Sequence, residues 1–396
     1  MAISFDHDHL VHIRPNGPML ITGPKGSGKT SIGVKKAAYL LENYCSEVND
    51  RILLVNNSKS LYEHSTNLMN RIKQEKVQTL MDLFDSGQGK LDISSIDGLM
   101  YRYYKSYCED NNFMAEIFDE EEYYHEILYE GIEILKSKYP DVIYLDKKYR
   151  KFLLAEIDWI RACGYSEEQQ YQNAERMGLK ELEREGPSKL NKNSKSRKAI
   201  YDLMVYFSDC CKENGKIDFI EANILALMSV QNDNCDYYSH IIIDDCNEFS
   251  KIQLDLIINL YKPKAYSSIT FLFDDHMHNH SRSWLGNGRP FTTVGFDMTG
   301  RSKTLDIQVN CIAGKGSHLS SRNNDDVNIT YREIPEMGKL AAYILDLIKE
   351  NISYEDFSIV VNNEATEVEL KRCQNLLKIT RKKSGENRRD KVMTFN

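Results

Sequence analysis

Short apolar runs and longer amphipathic stretches alternate along the first part of the chain. The apolar runs have the length of buried strands and lie at residues 19–21, 52–56 and 91–96. The amphipathic stretches have helical spacing and lie at residues 31–42, 60–74 and 98–107. This alternation predicts an α/β fold that is built on a parallel sheet.

A different pattern begins at residue 109 and predicts an inserted helical region. Its apolar residues recur at helical spacing, through Ile127, Ile132 and Leu135 and then through Leu153, Ile157 and Ile160 around Trp159. We interpret the acidic run at residues 119–122 as a solvated helix face.

Two more apolar runs, at residues 241–243 and 268–273, each end in a pair of aspartates. A helix is predicted between them, at residues 251–261. The carboxyl ends of parallel strands meet at one edge of a sheet, where such sheets bind ligands. Asp244-Asp245 and Asp274-Asp275 are therefore candidate site residues.

The sequence between the first predicted strand and helix matches a phosphate-binding loop, Gly23-x-x-x-x-Gly28-Lys29-Thr30. Glycines allow backbone N–H groups to turn towards phosphate oxygens, and the partly positive start of the next helix faces the same anion. Lys29 would reach the β and γ phosphates of a nucleotide, and the Thr30 hydroxyl would hold Mg²⁺. The candidate nucleotide-binding residues of the loop are Gly23, Gly26, Ser27, Gly28, Lys29, Thr30 and Ser31. The alternative is a glycine-rich turn that matches by chance, which the flanking strand and helix disfavour.

A nucleotide-bound Mg²⁺ takes a carboxylate from the end of a neighbouring strand, and Asp244 is the best candidate. Asp245 would then lie where a base orients the attacking water, and Asp274 could sense the γ phosphate. The alternative is that these are surface carboxylates in strand–helix turns.

Charge limits the kind of partner. The net charge of −8 excludes a protein that binds nucleic acid with its whole surface. A basic stretch could contact phosphates or be a solvated loop, and its part at residues 191–196 predicts a mobile loop because apolar residues are missing. The stretch contains Arg176, Lys180, Arg184, Lys189, Lys192, Lys195, Arg197 and Lys198.

Composition points to a reducing compartment. The nine cysteines form no CxxC pair, which indicates reduced thiols in a cytosol rather than disulfides or a zinc site. His276, His278 and His280 alternate, but no cysteine or carboxylate pattern completes a metal site with them. No apolar run approaches the ~18 residues that span a bilayer, and the amino terminus lacks a signal-peptide layout. We therefore expect a cytoplasmic protein without membrane contact.

The order of these motifs resembles that of the UvrD/Rep-like superfamily 1 DNA helicases. The phosphate loop matches their first motif, and residues 243–248 with Gln253 match their Asp-Glu-x-Gln-Asp motif. Residues 5–9 resemble their adenine-reading segment, with His9 where glutamine is usual. Further similar segments are residues 52–61, 96–99, 273–277 and 300–305. The resemblance covers nearly the whole chain, and the phosphate loop is its most specific part.

The resemblance implies a RecA-like P-loop NTPase sheet with a helical insertion and a partial second RecA-like domain. Domain 1A would comprise residues 1–108 and 217–299, domain 1B residues 109–216, and domain 2A residues 300–396, where a helix at 336–350 and a strand at 357–361 are predicted. ATP and Mg²⁺ would be the cofactors, and hydrolysis would drive translocation along single-stranded DNA. Lys29, Asp244 and Asp245 would be catalytic.

The resemblance also implies where the DNA strand would lie. Loops after Asn56 and near Ile96, together with the basic loop at residues 189–198, would contact it. Tyr101, Tyr103 and Tyr104 are candidate stacking platforms, and core packing is the alternative for at least one of them.

The sequence departs from the family pattern in ways that would weaken hydrolysis. Asp245 replaces a glutamate and is one methylene shorter. His276 or Met277 stands where a coupling glutamine is usual, and Asn310-Cys311-Ile312 lacks the usual arginine. Residues 392–396 resemble the start of a later motif, and the arginine finger beyond it, of a kind worth ~10³–10⁵ in rate in related hydrolases, is absent. We expect a chain that binds ATP better than it hydrolyses it, either as a fragment or with a partner that completes the site.

These departures favour a rival from a different class. It is a nucleotide-gated, non-unwinding subunit of a defence or repair complex, in which ATP binding switches assembly. A third possibility is an ATPase that is joined to a nuclease, although no nuclease carboxylate cluster is evident in the sequence.

Overall fold

The computed structural model describes residues 8–57, 59–76, 90–118, 120–176, 186–187, 190–232, 237–274 and 281–305. Eight strands lie in this part of the chain: β1 Gly17–Thr22, β2 Ile52–Asn56, β3 Leu91–Ser95, β4 Glu116–Ile117, β5 Lys216–Ile217, β6 His240–Ile243, β7 Ser268–Phe273 and β8 Ser302–Thr304. Six of them form one sheet in the order β3-β2-β6-β7-β1-β8, and every pairing is parallel. The predicted α/β fold with a parallel sheet is confirmed.

The described helices are α1 Asp8–Val11, α2 Lys29–Asn43, α3 Lys59–Lys76, α4 Ile96–Asn111, α5 Glu121–Lys138, α6 Arg150–Ala162, α7 Glu168–Asn173, α8 Lys195–Glu213, α9 Phe219–Gln231 and α10 Lys251–Asn259. The predicted helices are confirmed, but their ends differ by a few residues. Helix α4 begins before the predicted Gly98 because the Ser95 side chain accepts a hydrogen bond from the Gly98 N–H at 3.2 Å. The helix and strand predicted at 336–350 and 357–361 lie outside the described residues.

Helix α2 packs closely on one face of the sheet and holds the loop that precedes it. Ile21, Leu54, Ile242 and Leu272 are buried in a common cluster with this helix. Gly33 allows the close approach, because a Cβ atom there would lie 2.8 Å from Leu272 Cδ1. The start of the helix is therefore fixed at the carboxyl edge of the sheet.

The region after residue 109 is helical, as its periodicity predicts. Strands β4 and β5 form a small separate sheet, and α5, α6 and α8 carry the buried apolar residues. Trp159 of α6 has no exposed surface. Glu120, Glu121 and Glu122 are exposed, which confirms the solvated acidic face for that part of the run.

A buried ion cluster joins α6 to α9. Arg161 is 4% exposed and donates two hydrogen bonds of 2.6 Å to the two carboxylate oxygens of Asp218 and one of 3.2 Å to Glu221. Asp218 also caps α9, because its side chain accepts from the Glu221 N–H at 2.8 Å. One cation thereby fixes both the position of α9 and its first turn.

The basic stretch differs from its prediction. The sequence pattern predicts a mobile loop at Lys195 and Ser196, but these residues begin α8, which Ser194 caps. Arg197 is buried and donates to the carbonyl oxygens of Ala174 and Leu190, both at 3.0 Å. The described ion pairs of this stretch are Arg176–Glu156, Lys192–Glu175, Lys198–Glu168 and Lys198–Asp202. These cations have partners within the chain, which weakens the idea that they contact phosphates.

The first sheet extends past residue 300. Strand β8 pairs with β1, and the Leu305 N–H donates to the Thr22 carbonyl at 2.7 Å. Residues 300–305, which resemble the start of a second motor domain, thus contribute an edge strand to the first sheet. The division of the chain into three domains stays a prediction.

Two expectations from composition can be compared with the described residues. Their six cysteines, including Cys210 and Cys211, are free thiols. In the same part of the chain, no helix has both the length and the apolar character that crossing a membrane requires.

Candidate nucleotide-binding site

The loop between β1 and α2 has the backbone geometry that its glycines predict. Gly26 and Gly28 have φ values of +82° and +87°, in the left-handed region that favours glycine. A Cβ atom at Gly23 would lie 2.7 Å from Ser27 Oγ and 2.9 Å from Leu305 Cβ. The loop therefore turns tightly and leads directly into the first residue of α2.

Lys29 lies at the centre of this loop. Its side chain is buried, and its Nζ donates to the carbonyl oxygens of Gly23 at 2.7 Å and Pro24 at 3.0 Å. The same Nζ lies 3.4 Å from Asp274 Oδ2, which follows β7. The structure thus brings two of the predicted site residues together from opposite ends of the described chain.

Thr30 and Asp244 form the second pair at this edge. Thr30 Oγ1 donates to Asp244 Oδ2 at 2.8 Å, and Asn56 Nδ2 donates to the same oxygen at 3.1 Å. Asp244 is 1% exposed, and its Oδ1 has no hydrogen-bond partner among the described residues. Burial, together with the negative charge of Asp245, raises the pKa of Asp244 to about 7. A hydroxyl beside a buried carboxylate oxygen without a partner is a donor set that fits Mg²⁺.

The carboxylates around this pair form a negatively charged edge. Asp245 follows β6 with a left-handed φ of +50°, and burial raises its pKa, although the charge of Lys29 opposes the rise. Burial and the charge of Asp245 raise the pKa of Glu248, which accepts a hydrogen bond from Asn57. These carboxylates lie close enough to disfavour one another's charged forms, and a cation would relieve that repulsion.

Sequence reasoning did not predict a role for Asn56 or Asn247. Asn56 ends β2 and links Asp244 to Ser65 of α3 through hydrogen bonds of 3.1 Å each. Asn247 accepts from the Asp274 N–H at 3.1 Å, so it connects the turns that follow β6 and β7. The available signal was a polar residue at the end of a wholly apolar strand, as at Asn56.

The remaining predicted residues have varied positions. His9 is exposed on α1, and Ser31 is half-buried in α2. His276, Met277, His278, His280, Asn310 and Ile312 lie outside the described residues. The described residues contain no cluster of three or more potential metal ligands. This does not conflict with a nucleotide site, because Mg²⁺ usually keeps several waters and takes only one or two carboxylates plus substrate phosphates.

A groove of about 650 Å³ lies beside this edge. Asn57 and Glu248 line it from the turns that follow β2 and β6, Asp97 lines it from the first turn of α4, and Phe219 lines it from α9. Phe219 is 59% exposed, and Tyr101, which also lines the groove, is 49% exposed. By contrast, Tyr103 and Tyr104 are buried, which confirms that at least one of the three tyrosines packs in the core.

The parallel sheet with its flanking helices defines an α/β protein of the RecA-like class. The family model of the UvrD/REP helicase N-terminal domain matches residues 5–276. The chain belongs to this family, whose members are superfamily 1 helicases or translocases that in general use ATP with Mg²⁺ and bind DNA. A comparison with curated proteins found no match.

Proposed function

We propose that this chain is an ATP-dependent motor that couples hydrolysis to movement along single-stranded DNA. The observation that supports this most directly is the convergence of Lys29, Thr30 and Asp244 at one edge of the sheet, with a buried Asp244 oxygen that lacks a partner among the residues that the structure describes. A bound Mg²⁺–nucleotide would compensate for the buried negative charge there.

Each predicted residue has a task in this proposal. The backbone of Gly23, Gly26, Ser27 and Gly28 cradles phosphates, and Lys29 neutralises them. Thr30 and Asp244 hold Mg²⁺, Asp245 orients the attacking water, and Asp274 responds to the γ phosphate through its ion pair with Lys29. His9 contacts the adenine, as the resemblance implies, and Ser31 completes the phosphate-binding loop.

The proposed path for the DNA strand is the groove beside the nucleotide site. Glu248 lines the groove and follows closely on Asp245, and Asn57 lies directly after Asn56, a hydrogen-bond donor to Asp244. A change at the nucleotide site can therefore reach the groove through neighbouring residues in the turns that follow β2 and β6. Exposed aromatic rings such as those of Tyr101 and Phe219 can stack on bases without sequence preference.

The test of the motor is hydrolysis of ATP by this chain with and without single-stranded DNA. We expect Asp245→Asn to lower DNA-stimulated hydrolysis by about 10²–10⁴-fold, because the water would lose its base, while ATP affinity changes little. Asp141→Asn, at an exposed position, is the control and should behave like the wild type. Unchanged hydrolysis in Asp245→Asn would contradict the role assigned to this carboxylate.

The proposed path of the DNA strand along the groove leads to a second prediction, which concerns the affinity for single-stranded DNA. Phe219→Ala and Tyr101→Ala should each weaken binding of single-stranded DNA by about 5- to 150-fold, because each removes a stacking surface. Met228→Ala removes an exposed side chain from the same helix as Phe219, outside the groove, and should have little effect. Fluorescence anisotropy with a labelled oligonucleotide measures all three. Equal affinities would place the strand elsewhere.

The nucleotide-gated subunit remains the second candidate because three described cations of the basic stretch, Arg176, Lys192 and Lys198, are paired with carboxylates within the chain. In that case Lys29→Ala would abolish ATP-dependent assembly, measured by sedimentation with the partner, and Asp245→Asn would not. If both substitutions instead abolish DNA-stimulated hydrolysis, the motor is supported.

A further inference from the structure

A second cavity lies at the opposite edge of the sheet from the phosphate loop. Its volume is about 400 Å³, and it is lined by the first residues of β1, by Ser268 and Thr270 of β7 and by Lys36 of α2. Gly17 and Met19 pair in register with Ser268 and Thr270, which places this cavity at the amino end of both strands. Lys36 follows Lys29 by two helical turns, roughly 10 Å along α2, so the two sites are distinct.

The described lining of this cavity has one sign of charge. Four cationic side chains contribute to it, those of Arg14, Lys36, Arg301 and Lys303, and none of the described lining residues is acidic. This balance contrasts with the net charge of −8 of the whole chain. A concave surface that is lined by cations concentrates anions from solution.

Lys36 is the strongest sign of a ligand. It is 1% exposed, and its Nζ is held only by two long hydrogen bonds, to the carbonyl oxygens of Ile13 at 3.3 Å and Leu10 at 3.4 Å, within the described residues. Burial lowers the pKa of Lys36 to about 8, because the ammonium has lost water around its charge. The negative charge of an anion bound in the cavity would stabilise the buried Lys36 ammonium.

Thr270 gives an independent sign. It has no exposed surface, and its Oγ1 has no hydrogen-bond partner among the described residues. Buried hydroxyls are almost always satisfied, so an orphaned one in a cavity wall marks a place for a polar ligand atom. At the rim, Arg301 is fixed because its Nη1 donates to the carbonyl oxygens of Asn16 and Pro18.

We propose that this cavity binds a small phosphorylated ligand. Lys36 and the Thr270 hydroxyl contact its phosphate, while Arg14, Arg301 and Lys303 neutralise further charge at the rim. A polyanionic phosphate fits four cations better than a single carboxylate does, and about 400 Å³ accommodates a molecule as large as a nucleoside monophosphate. Pro15 and Met19 supply an apolar wall for a ring.

The experiment uses the full chain with Lys29→Ala, which impairs the phosphate loop and so isolates the second site. Calorimetric titrations with inorganic pyrophosphate and with adenosine monophosphate, at matched ionic strength, should both show saturable binding. Adding Lys36→Met should weaken the affinity by about tenfold or more, because a buried charge-assisted contact is lost. The absence of saturable binding, or an affinity that Lys36→Met leaves unchanged, would overturn the proposal.

Two further arms complete the test. If Lys36→Met does not fold, the exposed rim pair Arg14→Gln with Lys303→Gln replaces it, and a drop of several-fold is expected, whereas no drop would overturn the proposal. Tighter binding of adenosine monophosphate would identify a nucleoside phosphate that uses the apolar wall. Tighter binding of pyrophosphate would identify a ligand recognised by its phosphates alone.

Discussion

Replacing Lys29 by alanine should lower DNA-stimulated ATP hydrolysis by about 10²–10³-fold, the loss typical of removing one fixed group that stabilises developing charge. Lys29 is held by the Gly23 and Pro24 carbonyl oxygens and by Asp274, so its ammonium is already placed where phosphates would lie. The affinity for ATP should fall as well, because the phosphates lose a buried cation. Steady-state hydrolysis and nucleotide titration measure the two effects.

Lys25→Ala is the matched control for this substitution. Lys25 belongs to the same loop but is exposed, so its removal changes the charge equally without emptying the centre of the loop. We expect its rate to stay close to that of the wild type. If both lysine variants lose the same activity, general charge in the loop explains the effect, and the specific role of Lys29 is wrong.

The central strands β2, β6 and β7 could be predicted from sequence because they are buried on both faces. Such strands appear as largely apolar runs, and β2 and β7 have the predicted bounds of residues 52–56 and 268–273. Helix ends were less well predicted, because a side-chain cap such as Ser95 fixes the first turn and apolar periodicity does not report it.

Contacts between distant parts of the chain could not be predicted. The order of the strands places β2 and β1 apart with β6 and β7 between them, and no local pattern encodes that order. The hydrogen bond from Asn56 to Asp244 joins residues 188 positions apart. The prediction of an exposed basic stretch was wrong at Arg197 for the same reason. The charge pattern does not show that this side chain turns inward and donates to backbone carbonyl oxygens.

Replacing Arg161 by methionine should destabilise the folded chain by about 3–5 kcal/mol, the cost of removing one partner from a buried ion pair. Methionine keeps an apolar stem, but Asp218 and Glu221 lose the cation that holds them between α6 and α9. Chemical denaturation measures the change. Lys138→Met removes a cation from an exposed pair with Asp202 and should alter stability much less.

The pH dependence of the stability difference between the wild type and Arg161→Met shows whether lost charge compensation or lost packing causes it. Burial alone would raise the pKa of Asp218, but in the wild type the charge and hydrogen bonds of Arg161 hold it below its ordinary value. In the wild type, the contribution of Asp218 to the free energy of unfolding is therefore fully present above the pKa of about 3.9 that this residue has in the unfolded chain. It is lost only as pH falls through the lower pKa that Asp218 has in the folded chain. In Arg161→Met, burial without the cation raises the pKa of Asp218 in the folded state. Acidification therefore protonates this carboxylate and removes the free-energy cost of burying its charge.

The stability gap between wild type and Arg161→Met should consequently narrow as pH falls from 7 towards 5. A gap that stays constant over this range would show that lost packing, rather than an uncompensated carboxylate, explains the effect.

Because α9 carries Phe219 into the groove and Asp218 caps that helix, the variant should also bind single-stranded DNA more weakly at pH 7. DNA affinity that partly recovers at pH 5 together with stability would connect the ion cluster to the groove, since protonation of Asp218 removes the buried negative charge that Arg161 compensates in the wild type.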